Sequence, residues 1–299
     1  MPLGSLQVAA SLVSMQTIYL NARFMPIEEA RISPMDRGFL FSDGVYEVIP
    51  VYSRRAFRLG EHLRRLQNTL DGIRLRNPHD SDEWARLIGE IITRNEPEDQ
   101  SIYLQVSRGA DTKRDHAFPK HVVPTVFIMS SPLTTPDDEQ RATGVAAVSA
   151  PDYRWLRCHL KTTALLANCL LRQLAVDAGG AETLLFRDGY LTEGAASNIF
   201  IVKDGVLVAP PKSHLMLPGI TYDVVLELAA THGLPHEVRE ILEDEVRTAD
   251  EIWMTSSTKE VLPITMLDAR AVGTGKPGPV AARMHGWYQE FKETVMRRG

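Results

Sequence analysis

The sequence predicts an α+β fold in two domains, and three observations carry that prediction. A chain of 299 residues is long enough for one or two cores. Strand-like and helix-like stretches are mixed, without the regular β-α-β-α alternation of a doubly wound sheet. Ser131-Pro132-Leu133-Thr134-Thr135-Pro136-Asp137-Asp138 holds two prolines in polar filling and has no hydrophobic period, as a linker does. The expected divisions are an N-terminal extension 1–14, an N-terminal domain 15–131, a linker 132–138 and a C-terminal domain 139–299. The extension is small and apolar without a basic start, which does not read as a secretory signal, and Met15 offers an internal start.

In chain order, Ile18 to Ile27 alternates around Asn21-Ala22-Arg23 and predicts a short hairpin. Val45 to Tyr52 is β-branched and aromatic, a strand that turns at Ser53-Arg54-Arg55 and returns over Ala56 to Leu59. Gly60-Glu61-His62-Leu63-Arg64-Arg65-Leu66 opens a helix to about Gly72. Ser81, followed by Asp82 and Glu83, predicts the N-cap of a second helix through about Asn95. Strands follow at Ser101–Arg108 and Val122–Ser130. Beyond the linker come a strand at Val145–Ala150 and a nearly uninterrupted apolar helix, Thr162–Ala178, buried and ended by Gly179. Further strands are expected at Thr183–Arg187, Asn198–Lys203, Val206–Val208 and Glu251–Thr255. Helices are expected from near Thr221 and from about Val280 to Met296.

The composition excludes several classes of function. Hydrophobic content of 44% and charged content of 24% are ordinary for a globular enzyme. A net charge of -5 and a pI of about 6.0 argue against a nucleic-acid surface, which needs a basic face. No apolar run reaches the roughly 18 residues of a membrane helix. Two cysteines, Cys158 and Cys169, make a disulfide framework an unexpected reading and fit a reducing, cytoplasmic location.

Chemistry points first to Lys161. Eight lysines occur, and most lie among polar or turn residues. Lys161 alone ends a basic, aromatic stretch (Arg154-Trp155-Leu156-Arg157-Cys158-His159-Leu160) and borders the apolar helix. Burial lowers a lysine pKa, and the neutral amine condenses with aldehydes. The bland alternative is a lysine snorkelling at a helix start. Thirty-two residues on, Glu193 stands as a lone carboxylate in a turn of small residues, Gly194-Ala195-Ala196-Ser197. Small residues let a flat ring approach the backbone, and a carboxylate keeps a pyridine nitrogen protonated. A turn or cap carboxylate is the alternative. A desolvated amine plus a buried carboxylate is what pyridoxal phosphate chemistry requires.

A phosphate needs amide donors and basic groups. Pro218-Gly219-Ile220-Thr221 precedes a helix, Ser256 and Ser257 supply hydroxyls, and Arg65 is a helical arginine able to clamp an anion. Each also has an ordinary structural explanation, so their value is joint. Arg114-Asp115-His116 sits in a polar loop near Phe118-Pro119, where arginine and histidine can capture a carboxylate or simply be solvated. Two patterns are set aside. Gly273-Thr274-Gly275-Lys276-Pro277-Gly278 matches a dinucleotide-binding glycine pattern but holds a proline and follows no long apolar strand, so it reads as a turn before the last helix. His232 and His236 have ligand spacing, but Gly233 and Pro235 break the helix that would align them.

Asp36-Arg37-Gly38-Phe39-Leu40-Phe41-Ser42-Asp43-Gly44-Val45-Tyr46-Glu47 resembles the N-terminal signature of the fold type IV pyridoxal-phosphate enzymes. Glu61 to Leu66, the Lys161 segment, Leu191 to Phe200 and Leu217 to Thr221 follow in the family's order, over roughly residues 17 to 295. Arg154 to Cys158 and Arg114 to Pro119 are most similar to the D-amino-acid aminotransferase branch. The resemblance implies a smaller N-terminal α/β domain and a larger, β-barrel-like C-terminal domain with helices. It implies that Lys161 holds pyridoxal 5'-phosphate covalently and shuttles a proton, and that Glu193 pairs with the ring nitrogen. It gives Arg65, Ile220, Thr221 and Ser257 to the phosphate and lays Leu217 over the ring. Tyr46, Arg114 and His116 would trap the substrate α-carboxylate, with the Arg114 loop reaching in from the second subunit of a homodimer.

The implied reaction moves the amino group of a D-amino acid to a 2-oxo acid. Branched-chain L-aminotransferase, (R)-amine transaminase and aminodeoxychorismate lyase chemistry are alternatives on the same cofactor set. A non-catalytic dinucleotide-binding module is the alternative from a different class. Ala195 and Ala196 depart from the serines usual in the branch, and Phe39 and Leu40 from more polar residues.

Overall fold

The structure, a computed structural model, describes residues 16–298. The expectation for residues 1–14 lies outside them. Two sheets organise the chain. The first takes strands β1 (Thr17–Leu20), β2 (Arg23–Pro26), β3 (Gly44–Tyr52), β4 (Arg55–Ala56), β5 (Gln100–Ser107) and β6 (Thr125–Pro132) in the order β2-β1-β6-β5-β3-β4. Every pairing in it is antiparallel. The short helix α1 (Arg37–Phe41) precedes β3, and α2 (Leu59–Gly72) and α3 (Ser81–Arg94) cover one face. Leu63, Leu66 and Leu70 of α2 recur at helical spacing, as do Trp84, Leu87, Ile88 and Ile91 of α3. They bury against Val45, Ile49, Ile102 and Leu104. Each such aliphatic contributes about 1.5–3 kcal/mol of transfer free energy.

The second sheet takes β7 (Val145–Pro151), β8 (Glu182–Arg187), β9 (Tyr190–Gly194), β10 (Asn198–Lys203), β11 (Val206–Ala209), β12 (His236–Val238), β13 (Glu251–Ser256) and β14 (Glu260–Leu267). Their order is β12-β11-β10-β13-β14-β7-β8-β9, and β15 (Arg270–Ala271) pairs with β14. It is mixed: β7 runs parallel to both β8 and β14, and β11 to β12. The helices of this half are α4 (Asp138–Thr143), α5 (Leu166–Asp177), α6 (Ile220–Thr231), α7 (Glu243–Arg247) and α8 (Pro279–Phe291). Tyr222, Val225, Met284 and Tyr288, from α6 and α8, share a core with Phe200 and Trp253. No described helix is long and apolar enough to cross a membrane.

Several elements differ from the sequence reading. The second helix is capped by Asp80, whose side chain accepts from Glu83 N at 2.9 Å, and Ser81 is already helical. The linker is narrower than expected. Strand β6 runs through Pro132 and Asp137 caps α4, so only residues 133–137 lie outside regular elements. The segment after Lys161 departs furthest. Its helix starts at Leu166, and only Leu171 and Ala175 of it are buried, while Leu166 is 75% exposed. Residues 161–163 are extended instead, because β3 has an open edge there. Tyr46 N donates to Lys161 O (2.9 Å), and Thr163 N donates to Gly44 O (3.0 Å). An apolar run looks the same whether its helix is enclosed or packs on one side only. Strand β14 escapes a composition-based reading because Pro263 interrupts its ladder donors.

Candidate active site

The open edge of β3 explains why Lys161 is half-buried in the wall of a cavity. Its segment is pinned between β3 and α2, with Leu160 pressed on Gly72, where any Cβ would lie 2.4 Å from a leucine methyl. Burial, and then the Arg65 guanidinium, push the amine down to about 8. Its Nζ stands 4.3 Å from the centroid of the Tyr46 ring. Tyr46 and Val48 alternate along β3 and face one cavity of about 520 Å³.

Glu193 lies on strand β9, not in the turn of small residues that follows; the turn is 195–197. Strand β9 pairs with β8 on either side of Glu193, at Leu191 and Gly194, and charges hold its head. Arg154 Nη1 meets Oε1 at 2.5 Å, while Leu217 N (3.1 Å) and Asn198 Nδ2 (3.3 Å) donate to Oε2. Arg154 in turn grips Asp152 with Nε and Nη2, both at 2.9 Å. Burial pushes the Glu193 carboxyl up to about 7, with Arg154 opposing. A carboxylate this constrained is aimed; it is not a flexible surface charge.

The far end of the cavity offers groups that can receive an anion. Helix α6 begins after Gly219 with no side-chain cap, so its first amides are free to donate. Gly219 is required there, since a Cβ would fall 2.0 Å from Asn198 Oδ1. Thr255 Oγ1 is buried with no partner among the described residues, and Thr255 lines the same cavity. An orphaned hydroxyl beside uncapped amides is what a bound phosphate satisfies. Arg65 reaches the same loop through Nη1 to Pro218 O (2.9 Å). Its Nε and Nη2 are held by Glu47 at 2.8 and 2.7 Å. Burial raises the Glu47 carboxyl, but Arg65 and His62 more than offset it, to about 2.

Thus Lys161, Glu193, Tyr46, Arg65, Leu217, Ile220, Thr221 and Ser257 all line one cavity. Arg114 and His116 do not. They lie on the exposed loop between β5 and β6, against Phe41. Four residues with evident work were missed from sequence: Glu47, Arg154, Asn198 and Thr255. Only Arg154 carried a signal, as the first basic residue of the stretch that leads to the lysine seven residues on. The glycine pattern before α8 is a turn. Glu251 already occupies that helix N-terminus, accepting from Val280 N (2.8 Å) and Ala281 N (2.7 Å). His232 stacks on Trp287 with ring centroids 4.4 Å apart.

The family model for class IV amino-transferases matches residues 44–267. The chain is 38% identical to a D-alanine aminotransferase of Bacillus licheniformis over 88% of this chain and 92% of the relative. It is 34% identical to the D-alanine aminotransferase of Staphylococcus aureus strain MW2, covering 94% of this chain and 99% of that one. Among solved structures, the Escherichia coli branched-chain amino acid aminotransferase superposes with a TM-score of 0.84 at 26% identity, over 91% of this chain and 92% of that one. A T.th. branched-chain amino acid aminotransferase with pyridoxamine 5'-phosphate also gives 0.84, at 30% identity over 92% and 93%.

Proposed function

This chain belongs to the class IV amino-transferases, and we propose that it transfers amino groups between D-amino acids and 2-oxo acids with pyridoxal 5'-phosphate. The observation that carries the reading is the joint one: an enclosed amine with a depressed pKa and a carboxylate locked by arginine line the same cavity as an uncapped helix start. The orphaned Thr255 hydroxyl and the free α6 amides fit the cofactor's phosphate. When bound, the cofactor supplies an electron sink for the bond broken at the substrate Cα.

The chain's own residues divide the remaining work. Lys161 anchors the cofactor through its amine and then takes and returns the Cα proton. Its lowered pKa keeps a useful fraction neutral near pH 8. Glu193, held by Arg154 and Asn198, stabilises a proton on the ring nitrogen. Arg65, Ile220, Thr221 and Ser257 hold the phosphate, and Leu217 packs on the ring. Tyr46 receives the substrate carboxylate with Arg114 and His116.

That last pair does not meet Lys161 within one chain, so the reading includes a homodimer in which each loop serves the neighbouring cavity. With the carboxylate fixed and the Cα hydrogen aimed at Lys161, only one enantiomer leaves room for its side chain. The reading also treats the two sheets as two domains, 15–131 and 139–299, joined by 132–138. It places the enzyme in the cytoplasm, in keeping with two free thiols.

A branched-chain L-aminotransferase is the second reading, favoured by the superposition on such enzymes. A coupled assay of D-alanine, L-leucine and (R)-1-phenylethylamine with 2-oxoglutarate separates them. Turnover of D-alanine is expected; a preference for L-leucine overturns the D-specific reading, and a preference for the amine removes the carboxylate trap.

A further inference from the structure

One short segment, Asp36 to Phe41, organises the whole loop that carries Arg114 and His116. Asp36 clamps the loop's two ends. Its Oδ1 accepts from Ser107 Oγ (2.7 Å), where β5 ends, and its Oδ2 from Thr125 Oγ1 (2.6 Å), where β6 begins. Arg37 grips the loop's tip. Its buried guanidinium donates to three successive carbonyls: Asp115 O (2.5 Å), His116 O (3.1 Å) and Ala117 O (3.3 Å). Its Nε is fixed by Asp43 at 2.8 Å, and Arg108 holds that carboxylate from the other side.

Phe41 then sits beneath the two functional side chains. Its ring lies 5.0 Å from the Arg114 guanidinium and 5.1 Å from the His116 ring, and Arg37 lies 4.9 Å from it as well. The Arg114 cation therefore rests on an aromatic face, which orients a guanidinium without consuming its donors. A carboxylate partner would orient it too, but would compete with the substrate.

We propose that Arg37 and Phe41 are positioning residues: they preset Arg114 and His116 and so determine how tightly the enzyme holds a substrate α-carboxylate. This rests on the reading of that pair as the carboxylate site. Only an arginine can serve at position 37, because three divergent carbonyls need a planar fork of donors; lysine offers a single point. At position 41 a flat ring is required, and an aliphatic side chain of similar size is insufficient.

The test uses the holoenzyme, with D-alanine as substrate and propionate as a competitive carboxylate without an amine. Arg114→Ala is the benchmark. Phe41→Leu should raise both KM for D-alanine and Ki for propionate about two- to five-fold, the loss expected for an exposed cation–π contact. Turnover number and melting temperature should stay near the parent's. Arg37→Lys should raise the same two constants at least as much, and Phe41→Tyr, which keeps the ring, should restore them.

In an Arg114→Ala background, Phe41→Leu should add clearly less than in the parent, because the part of its effect that runs through the guanidinium is gone and only that through His116 remains. If Arg114→Ala leaves KM and Ki unchanged, the carboxylate reading itself fails. If Arg114→Ala raises both but Phe41→Leu and Arg37→Lys do not, the positioning role is overturned. It is also overturned if Phe41→Leu lowers kcat and melting temperature while raising KM, or if its effect persists undiminished without Arg114.

Discussion

The cavity around Lys161 and the β5–β6 loop, which we propose serve one active site, are built on different principles. Around Lys161 and Glu193 the polar groups are cross-linked: Asp152, Arg154 and Glu193 form one chain of charges, and Glu47 pairs with Arg65 and hydrogen-bonds the buried His62, whose pKa burial lowers. At the β5–β6 loop, Arg114 and His116 are exposed and rest on a ring. The first arrangement fixes geometry at a high desolvation cost, which only complete partnering offsets. The second leaves its two working side chains exposed, although the loop that carries them is held by the buried Asp36 and Arg37. The proposed reaction demands the first, since a misplaced amine or carboxylate would disable every turnover. Substrate selection tolerates the second.

The contrast predicts where damage appears. Lys161→Ala should lower turnover by at least about 10²–10⁴-fold, the range that a positioned acid–base group supplies. Stopped-flow and steady-state assays with D-alanine read this, and preserved turnover would remove the enclosed end from the mechanism. Arg154→Gln leaves Glu193 and Asp152 buried without their shared cation. Breaking such a pair costs about 3–5 kcal/mol, visible in denaturant unfolding. A loss no larger than a surface substitution gives would erase the distinction between the two ends.

Arg114→Ala probes the loop. One charge-assisted contact is worth about 1.5–3 kcal/mol, so KM for D-alanine should rise roughly ten-fold or more. Unfolding free energy should change by less than about 0.5 kcal/mol. A stability loss matching that of Arg154→Gln would mean that the loop is as structural as the cradle.

A further expected effect is a pH dependence of the apo-protein. Lys161 has a folded pKa of about 8 against an ordinary 10.5. The unfolded chain therefore binds more protons between those values, and this group makes stability rise from about pH 8 to 10.5 and contribute no slope below. Lys161→Met should flatten that rise in apo-protein melts. An unchanged alkaline slope would place the amine in water.

Much of the site is legible one residue at a time. Asn198–Lys203 reads as a strand and is one, because alternation and β-branching act locally. Arg65 can be placed on a helix, and Ile220 and Thr221 at a helix start, since caps and periodicity are short-range signals. The environment of Lys161 is not legible in this way: the apolar run after it suggests a burying helix, whereas β3 and α2 enclose it. Glu193 reads as a turn residue because the small residues beside it are turn formers; the ladder with β8 keeps it in a strand. Arg154 and Asn198 give little sign of their roles, because each acts through a partner placed by the fold.

By itself the sequence determined the mixed α+β character, the order of the motifs and the chemical kinds of group available. Propensity, periodicity and capping are properties of neighbours along a chain. Tertiary structure alone decided which amine is enclosed, which arginine locks which carboxylate, and that Arg114 and His116 stand apart from Lys161 within one chain. Those facts depend on desolvation and on contacts between residues distant in sequence, where a few ångströms decide whether a charge is paired, exposed or poised.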